Sequence, residues 1–334
     1  MAQLPAGYSA RAWTLDDADA TASLMNAYGQ REYGRDVTEA ESLRAQMRMP
    51  GIDLAEDTIL VESESGDLVA GAFAIDLSAP HVRVTAAGIV RHEDQGKGIG
   101  RFLAEWIEAR GRKAVDKAPD GARVIVMQTV DDRETAAKTL LEAKGYKVCR
   151  HFWRMAIDLG DPVADVTWPD GIAVATFEPE SDLEPLFFAS REAFRDHWGH
   201  LDGPAEEGLK RLRHQIANDP DFDPTLWFLA REGTDIAGIS RVSPREGTDR
   251  TTGYVQLLGV LRPWRRRGLG LALLQHTFME LRKRGFESCA LHVDSQSLTG
   301  ATRLYERAGM SVSELNHAYE LELRPGEELA TQSA

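Results

Sequence analysis

The chain has 334 residues, 43% of them apolar and 28% charged, with a formal net charge of -14. That length favours two domains of roughly 150 residues, each able to bury its own core. No stretch approaches the ~20 apolar residues that span a bilayer, the start MAQLPAGYSARAW lacks the regions of a secretion signal, and the acidic balance disfavours nucleic acid, so a cytoplasmic protein without membrane or nucleic-acid partners is expected.

In chain order, "LPAGYSARAWTLDDADATASLM" reads as a Pro-x-Gly turn, a short alternating strand and an acidic helix start. "DTILVESESGDLVAGAFAI" gives two β-rich runs around a glycine turn, a hairpin. "AAGIVRHEDQGKGIGRFLAEWI" and "AAKTLLEAKGY" follow, with Cys149 just beyond; with Cys289 it makes neither a disulfide framework nor a zinc site and fits a reducing compartment. Gly, Pro and Asp then interrupt the patterning in "LGDPVADVTWPDG".

After this break the plan repeats as "WPDGIAVATFEPESDLEPLF", "TLWFLAREGTDIAGISRV", "QLLGVLRPWRRRGLGLALLQHT" and "GATRLYERAGM". Val90 and Val260 each stand eight residues before a glycine, Gly98 or Gly268, and Gly100 or Gly270 follows two residues on. Four matches in the same order indicate a duplication. The expected division is a first domain over 1–160, a linker over 161–170, a second domain over 171–324 and a frayed tail, "RPGEELATQSA" and its flank, over 325–334.

In the second half, "YVQLLGVL" reads as a buried strand and "LGLALLQHTFMELRKRG" as a helix with Leu269, Leu273, Leu274, Phe278 and Leu281 on one face. The glycines therefore lie at a strand-to-helix turn. Unpaired N–H groups and the helix dipole make such a turn an anion site, and glycine lets a phosphate approach the backbone. Arg262 and Arg265 to Arg267 would balance the charge. The pattern is neither a Walker loop nor the dinucleotide fingerprint.

RxxGxG, formed by Arg265, Gly268 and Gly270, resembles the acetyl-CoA loop of the GCN5-related N-acetyltransferases (GNATs), and Gln95, Gly98 and Gly100 give its QxxGxG variant. "ATRLYERAGM" is similar to the family's AxxLYexxGF segment, and the tandem arrangement is similar to that of mycothiol synthases. The resemblance implies an α/β (α+β) chain of two GNAT-like domains. Each would hold a mixed, mostly antiparallel sheet flanked by helices, with a central strand pair splayed around the pantetheine arm of acetyl-CoA, the acyl-donor substrate. It implies that Leu258, Gly259 and Val260 bind that arm, that the backbone of Arg265, Arg266, Arg267, Gly268, Leu269 and Gly270 holds the pyrophosphate, and that Ser297 stands where the family often has Asn. Gln95, Gly96, Lys97, Gly98 and Gly100 are the first-half counterparts, and no metal is implied.

Tyr305 takes the position of the family's tyrosine, a general acid for the departing CoA thiolate. Leu141 stands there in the first half and Glu93 and Asp94 precede its loop, so the first half is expected to be degenerate or to bind acetyl-CoA without turnover. On the acceptor side, "SREAFRDHWGHLDG" offers Asp196 or His197 to orient or deprotonate an ammonium and Trp198 as a wall; the same stretch also reads as a helix end terminated by Gly199. Asp-His-x-x-His makes a poor metal site, and the strand provides no general base beyond Tyr254 and Gln256. The leading expectation is an acetyl-CoA-dependent N-acetyltransferase, monomer or homodimer, whose acceptor is the primary amine of a small molecule. The alternatives are a non-catalytic acetyl-CoA-binding or regulatory tandem module, and mycothiol synthase-like acetylation of a thiol-bearing amine.

Overall fold

The repeated pattern folds as a repeated set of elements. A computed structural model describes residues 3–161, 164–297 and 300–332. The first half supplies β1 (Tyr8–Arg11), α1 (Ala18–Tyr33), α2 (Ala40–Met47), α3 (Leu54–Asp57), β2 (Thr58–Ser63), β3 (Leu68–Ile75), β4 (Arg83–Val90), α4 (Ile99–Arg112), β5 (Val124–Asp131), α5 (Thr135–Ala143) and β6 (Lys147–Asp158). The second supplies β7 (Ile172–Thr176), α6 (Pro179–Phe194), α7 (Ala205–Asn218), β8 (Trp227–Glu232), β9 (Asp235–Ser243), β10 (Thr252–Val260), α8 (Leu269–Lys283), β11 (Ser288–Asp294), α9 (Ala301–Arg307) and β12 (Ser311–Arg324).

These elements form two compact units that do not follow the division expected at 161–170. Unit 1 runs to Arg150 and adds Asp202–Asp219 and Asn316–Leu329; unit 2 holds His151–Leu201, Pro220–Leu315 and the chain from Ala330. In unit 1 the strand order is β1-β2-β3-β4-β5-β12, and in unit 2 it is β7-β8-β9-β10-β11-β6. The last strands are exchanged. β12, from the end of the chain, pairs with β5 from Asn316↔Asp131 to Arg324↔Val124, while β6 pairs with β11 from Phe152↔Asp294 to Asp158↔Ser288. A strand's alternation specifies which face it buries but not which sheet it joins, so the local pattern holds no sign of the exchange. Helix α7 likewise belongs to unit 1, where Arg211 Nη1 donates to the Leu77 carbonyl at 3.2 Å.

Packing follows the periodicity. The expected face of α8, Leu269, Leu273, Leu274, Phe278 and Leu281, is at most 1% exposed and meets Met155, Phe228, Val255 and Leu291 of its sheet. In unit 1, Ile99, Phe102 and Leu103 of α4 meet Ile59, Val61 and Val69, and α1 and α2 cover Trp13 and Leu60 from the other side. The expected frayed tail is instead held in place. The Arg123 N–H donates to the Glu327 carbonyl at 2.8 Å, and Thr331 exchanges backbone bonds with Gly199 and His200 at 2.8 and 2.9 Å.

Tyr319 of β12 is 2% exposed. Tyr319→Ala should cost unit 1 about 3–5 kcal/mol, and hydrogen exchange should show the amides of β5 opening faster while those of β10 and β11 keep their protection.

Candidate active site

Among the described residues each unit contains one parallel strand pair, and each pair forks. The β4–β5 ladder ends at Thr85↔Met127 and the β10–β11 ladder at Val255↔Leu291. Beyond these points the strands lose their mutual bonds. In unit 2 the register of β10 against β9 also shifts between Val255 and Leu257, leaving Gln256 as a bulge that bends the strand at the fork. In unit 1 the gap is a cleft of about 530 Å³ running from Gly88 and Val90 past Gln95 and Gly98 to Gln128 and Leu141.

The strand-to-helix turns sit at the mouths of these forks. Gly98 and Gly268 cap α4 and α8 in the left-handed region, with φ of +95° and +86°. Nothing stands within 4 Å of where a Cβ on Gly268 would lie, so the backbone angle and not crowding calls for glycine there. The next glycine does a different job. A Cβ on Gly270 would lie 2.9 Å from Leu304 Cδ1, and one on Gly100 would lie 3.2 Å from Leu140 Cδ2, so each lets the following helix close in. Arg266 is left-handed at φ +63°, at the position corresponding to Gly96, φ +74°.

The residue that opens each motif is an anchor. Arg265 Nε donates to the Val260 carbonyl at 3.0 Å, and Gln95 Nε2 donates to the Val90 carbonyl at 3.3 Å. Arginine and glutamine are interchangeable here because each ties the loop to the last carbonyl of the strand. Arg265 goes further, bonding the Ala193 carbonyl at 2.9 Å and both Asp196 oxygens. Arg262 stands 3.5 Å from Asp196; Arg267 bonds the Asp170 carbonyl and Glu232, the latter at 3.0 Å. The expected pool of balancing charge is therefore mostly spent within the protein, and only Arg266 of the four lacks a partner among the described residues. In unit 1, Asp94 is 3% exposed and takes up both local cations, Arg91 at 2.6 Å and Lys97 at 2.8 Å, together with Tyr8 at 2.6 Å.

These contacts set the charges. Hydrogen bonds from Arg265 hold the Asp196 carboxyl at about 2, against a smaller opposing effect of burial. Burial would raise Asp94, but donors from Lys97, Tyr8 and Arg91 outweigh it and hold that carboxyl at about 2 as well. Asp196 is thus a structural partner of the loop, a role its sequence context did not suggest. His197 lies 4.5 Å from the Phe194 ring, and burial lowers its pKa. Trp198 lies 6.3 Å from Phe152. Helix α6 stops at Phe194, before Gly199.

Tyr305, on α9, is 8% exposed within the core of unit 2, and burial pushes its phenol up to about 12. Its counterpart Leu141 is 4% exposed and lines the unit 1 cleft. Leu258 and Val260 pack against the unit 2 core beside buried Gly259. Ser297 belongs to the turn from β11 towards α9, its N–H on the Asp294 carbonyl at 3.1 Å. Sequence reasoning named Tyr254 but missed its partner His292 and several other groups around the forks. The Tyr254 hydroxyl and His292 Nδ1 share a hydrogen bond of 2.9 Å, Arg154 pairs with Glu246, and Arg241 is buried in part. In unit 1, Glu134 accepts from Tyr28 at 2.9 Å and from Tyr33. Each is a polar residue in a strand, helix or turn that reads as solvated until the covering elements are known.

The sequence matches the acetyltransferase (GNAT) family model over residues 185–310. It is 30% identical over 303 residues to a mycothiol acetyltransferase of Thermobispora bispora, covering 89% of this chain and 94% of that one. It is also 33% identical to a GCN5-related N-acetyltransferase from Sphaerobacter thermophilus, whose solved structure superimposes with a TM-score of 0.80 over 99% of this chain and 100% of that one. The chain belongs to the GCN5-related N-acetyltransferase family. As a GNAT it is an acyltransferase, and its chemistry is acetyl transfer. A tandem GNAT protein from the clavulanic acid biosynthesis pathway shares the fold at 15% identity and a TM-score of 0.72. No helix among the described residues is long and apolar enough to cross a membrane.

Arg265→Gln should keep the tie to Val260 and lose the Asp196 pair, whereas Arg265→Ala loses both. Urea unfolding should rank them, at about 1 kcal/mol and about 2–3 kcal/mol of destabilisation. Because the folded Asp196 carboxyl lies at about 2, below its unfolded value of about 3.9, its contribution is complete above that value and disappears as pH falls towards 2. Asp196→Asn should flatten the acid limb of the stability curve over that window.

Proposed function

We propose that the second half transfers the acetyl group of acetyl-CoA to the primary amine of a small molecule, with Tyr305 as general acid. The observation that carries this reading is the difference between the two forks. Both have the glycine turn and the splayed pair, but a phenol stands on α9 where the first half has a leucine. Each fork presents what a thioester-linked pantetheine arm needs: a gap between strands, unpaired main-chain groups along β4 or β10, and an outward helix N-terminus with no side-chain cap for a pyrophosphate.

In this reading Leu258, Gly259 and Val260 hold the arm, and the amides of Arg265 to Gly270 hold the pyrophosphate. Arg266 adds a cation on the outside of the turn, while Arg265 fixes the loop through Val260. Ser297 supports the arm from the turn after β11. When bound, acetyl-CoA supplies an acetyl group activated as a thioester. The acceptor nitrogen forms the C–N bond as the C–S bond breaks, the Tyr305 hydroxyl gives its proton to the departing sulfur, and the proton lost by the nitrogen passes to water, from which Tyr305 is reprotonated. Burial without a bonded carboxylate keeps that phenol protonated until it is needed. His197 and Trp198 remain candidates for the acceptor side. The first half, with Gln95, Gly96, Lys97, Gly98 and Gly100 around an open cleft and Leu141 in place of the phenol, holds acetyl-CoA without turning it over. Similarity to mycothiol acetyltransferases over most of both chains favours, as a second reading, an acceptor amine that also bears a thiol.

Tyr305→Phe should lower kcat by about 10²–10⁴-fold while calorimetry finds acetyl-CoA affinity within about threefold of wild type. Equal kcat would remove Tyr305 from the chemistry. Calorimetry should count two acetyl-CoA sites in the wild type and one in Gly268→Glu, which places an anion at the turn. The activity profile of the wild type should show no descending limb from Tyr305 until the pH nears 12.

A further inference from the structure

Arg241 carries a charge for which the described residues provide no counter-ion. On β9 it stands opposite Trp227 of β8 and Leu257 of β10. Its neighbours along the strand fix its direction. Ser240 is bonded to Thr277 of α8 at 2.9 Å and Val242 lies in the core against α8, so Arg241 projects from the opposite face of the sheet. There its guanidinium lies 4.1 Å over the Trp227 ring, and its Nε is sealed from solvent with no hydrogen-bond partner. The residue as a whole keeps partial exposure. Burial lowers its pKa to about 10, with no acid acting to raise it, so it remains a cation at neutral pH. A partly buried cation with a sealed, unbonded Nε destabilises the protein that contains it, and the stacking on Trp227 offsets only part of that cost.

Its position relative to the fork gives this charge a use. Leu257, its ladder partner, follows the Gln256 bulge, and Val255↔Leu291 is the last pair before β10 and β11 separate. The Tyr254–His292 pair lies on the same face as Arg241, because Val255, Leu291 and Val293, their strand neighbours, all point into the core. Arg241 therefore stands one strand from the apex, and with strands ~4.8 Å apart a molecule lying over β10 on this face spans from the gap to the guanidinium in a few bonds. Trp227 covers one face of the guanidinium and Nε is sealed, which leaves the two Nη groups, whose N–H donors match the two oxygens of a carboxylate.

We infer that Arg241 is the anion-binding element of the acceptor site, and that the acceptor is a small amine that also carries a carboxylate. The inference rests on the second half being the site of acetyl transfer. Arg241 acts here as a positioning residue, holding the far end of the acceptor so that the amine faces the fork.

The test uses the full-length protein, Arg241→Met and Arg241→Lys, with matched probes: glycine, β-alanine, γ-aminobutyrate and glutamate, each beside its amide. Two readouts are taken, acetylated product by mass spectrometry and the rise in Tm caused by each probe without acetyl-CoA. At least one acid should be used about tenfold better than its amide by wild type. In Arg241→Met that preference should fall to within about threefold through KM. The Met variant should also be at least as stable as wild type without ligand, and if it does not fold, Arg241→Lys carries the same comparison, with charge kept and the planar edge lost. Equal use of acids and amides by wild type, or a preference that survives in both variants, overturns the proposal. If no amine is acetylated but an acid still raises Tm in an Arg241-dependent way, the site stands and the catalytic reading falls. With neither turnover nor an acid-specific rise, the site falls too.

Discussion

One hydrogen bond, from a loop side chain to the last carbonyl of a strand, sets the geometry on which the rest of each unit's fork depends. Arg265 on Val260 and Gln95 on Val90 hold the chain as it leaves the sheet, and three residues later a left-handed glycine turns it into the helix. With the loop fixed at both ends, the first amides of α4 and α8 point out of the turn and cannot pair with the strand they have just left. The second glycine then lets the helix settle against α5 or α9, which brings Leu140 or Leu304 under it and places the next side chain, Leu141 or Tyr305, in position. The anchor, the turn and the α9 residue act as one linked construction.

The same frame is wired differently in the two units. In unit 1 the buried Asp94 draws Arg91 and Lys97 onto itself, so the cations flanking the turn are committed within the loop. In unit 2, Asp196 comes from the far end of α6 and ties that region to the loop through Arg265, while Glu232 takes Arg267 and Trp264. A cluster of arginines is therefore a poor measure of available charge. Arg265 and Arg267 hold backbone segments together and Arg262 stands beside Asp196, while Arg266, without a partner among the described residues, takes a backbone angle that glycine adopts in the other unit.

Much of this was legible in the residues. The 3.6-residue spacing of Leu269, Leu273, Leu274, Phe278 and Leu281 gave the buried face of α8, and the repeated glycine pair located both turns. The hairpins around Gly66 and Gly233 formed between the runs that flank them. What could not be read depended on partners distant in sequence. Asp196 looks like a free acid in "RDHWGH" until Arg265, sixty-nine residues later, is placed on it. Arg241 looks like an outward strand residue until Trp227 is seen beneath it. The exchange of β6 and β12 is of the same kind, because alternation in "VCRHFWRMAID" and "SVSELNHAYELEL" suits either sheet.

That exchange also bears on how the protein is made. Strand β5 has its antiparallel neighbour only when residues 316–324 arrive, after strands β6 to β11 have been made. Throughout synthesis of the second half, the sheet begun by the first therefore keeps an open edge, with unpaired backbone groups and the apolar side chains Val124, Val126 and Val130 that are buried in the finished molecule. The ordinary vectorial order, in which an N-terminal domain is complete before the next is made, does not apply here. Strand β12 closes the first sheet, so a nascent chain stalled before residues 316–324 would be a sticky one, exposing the edge through which another copy could pair.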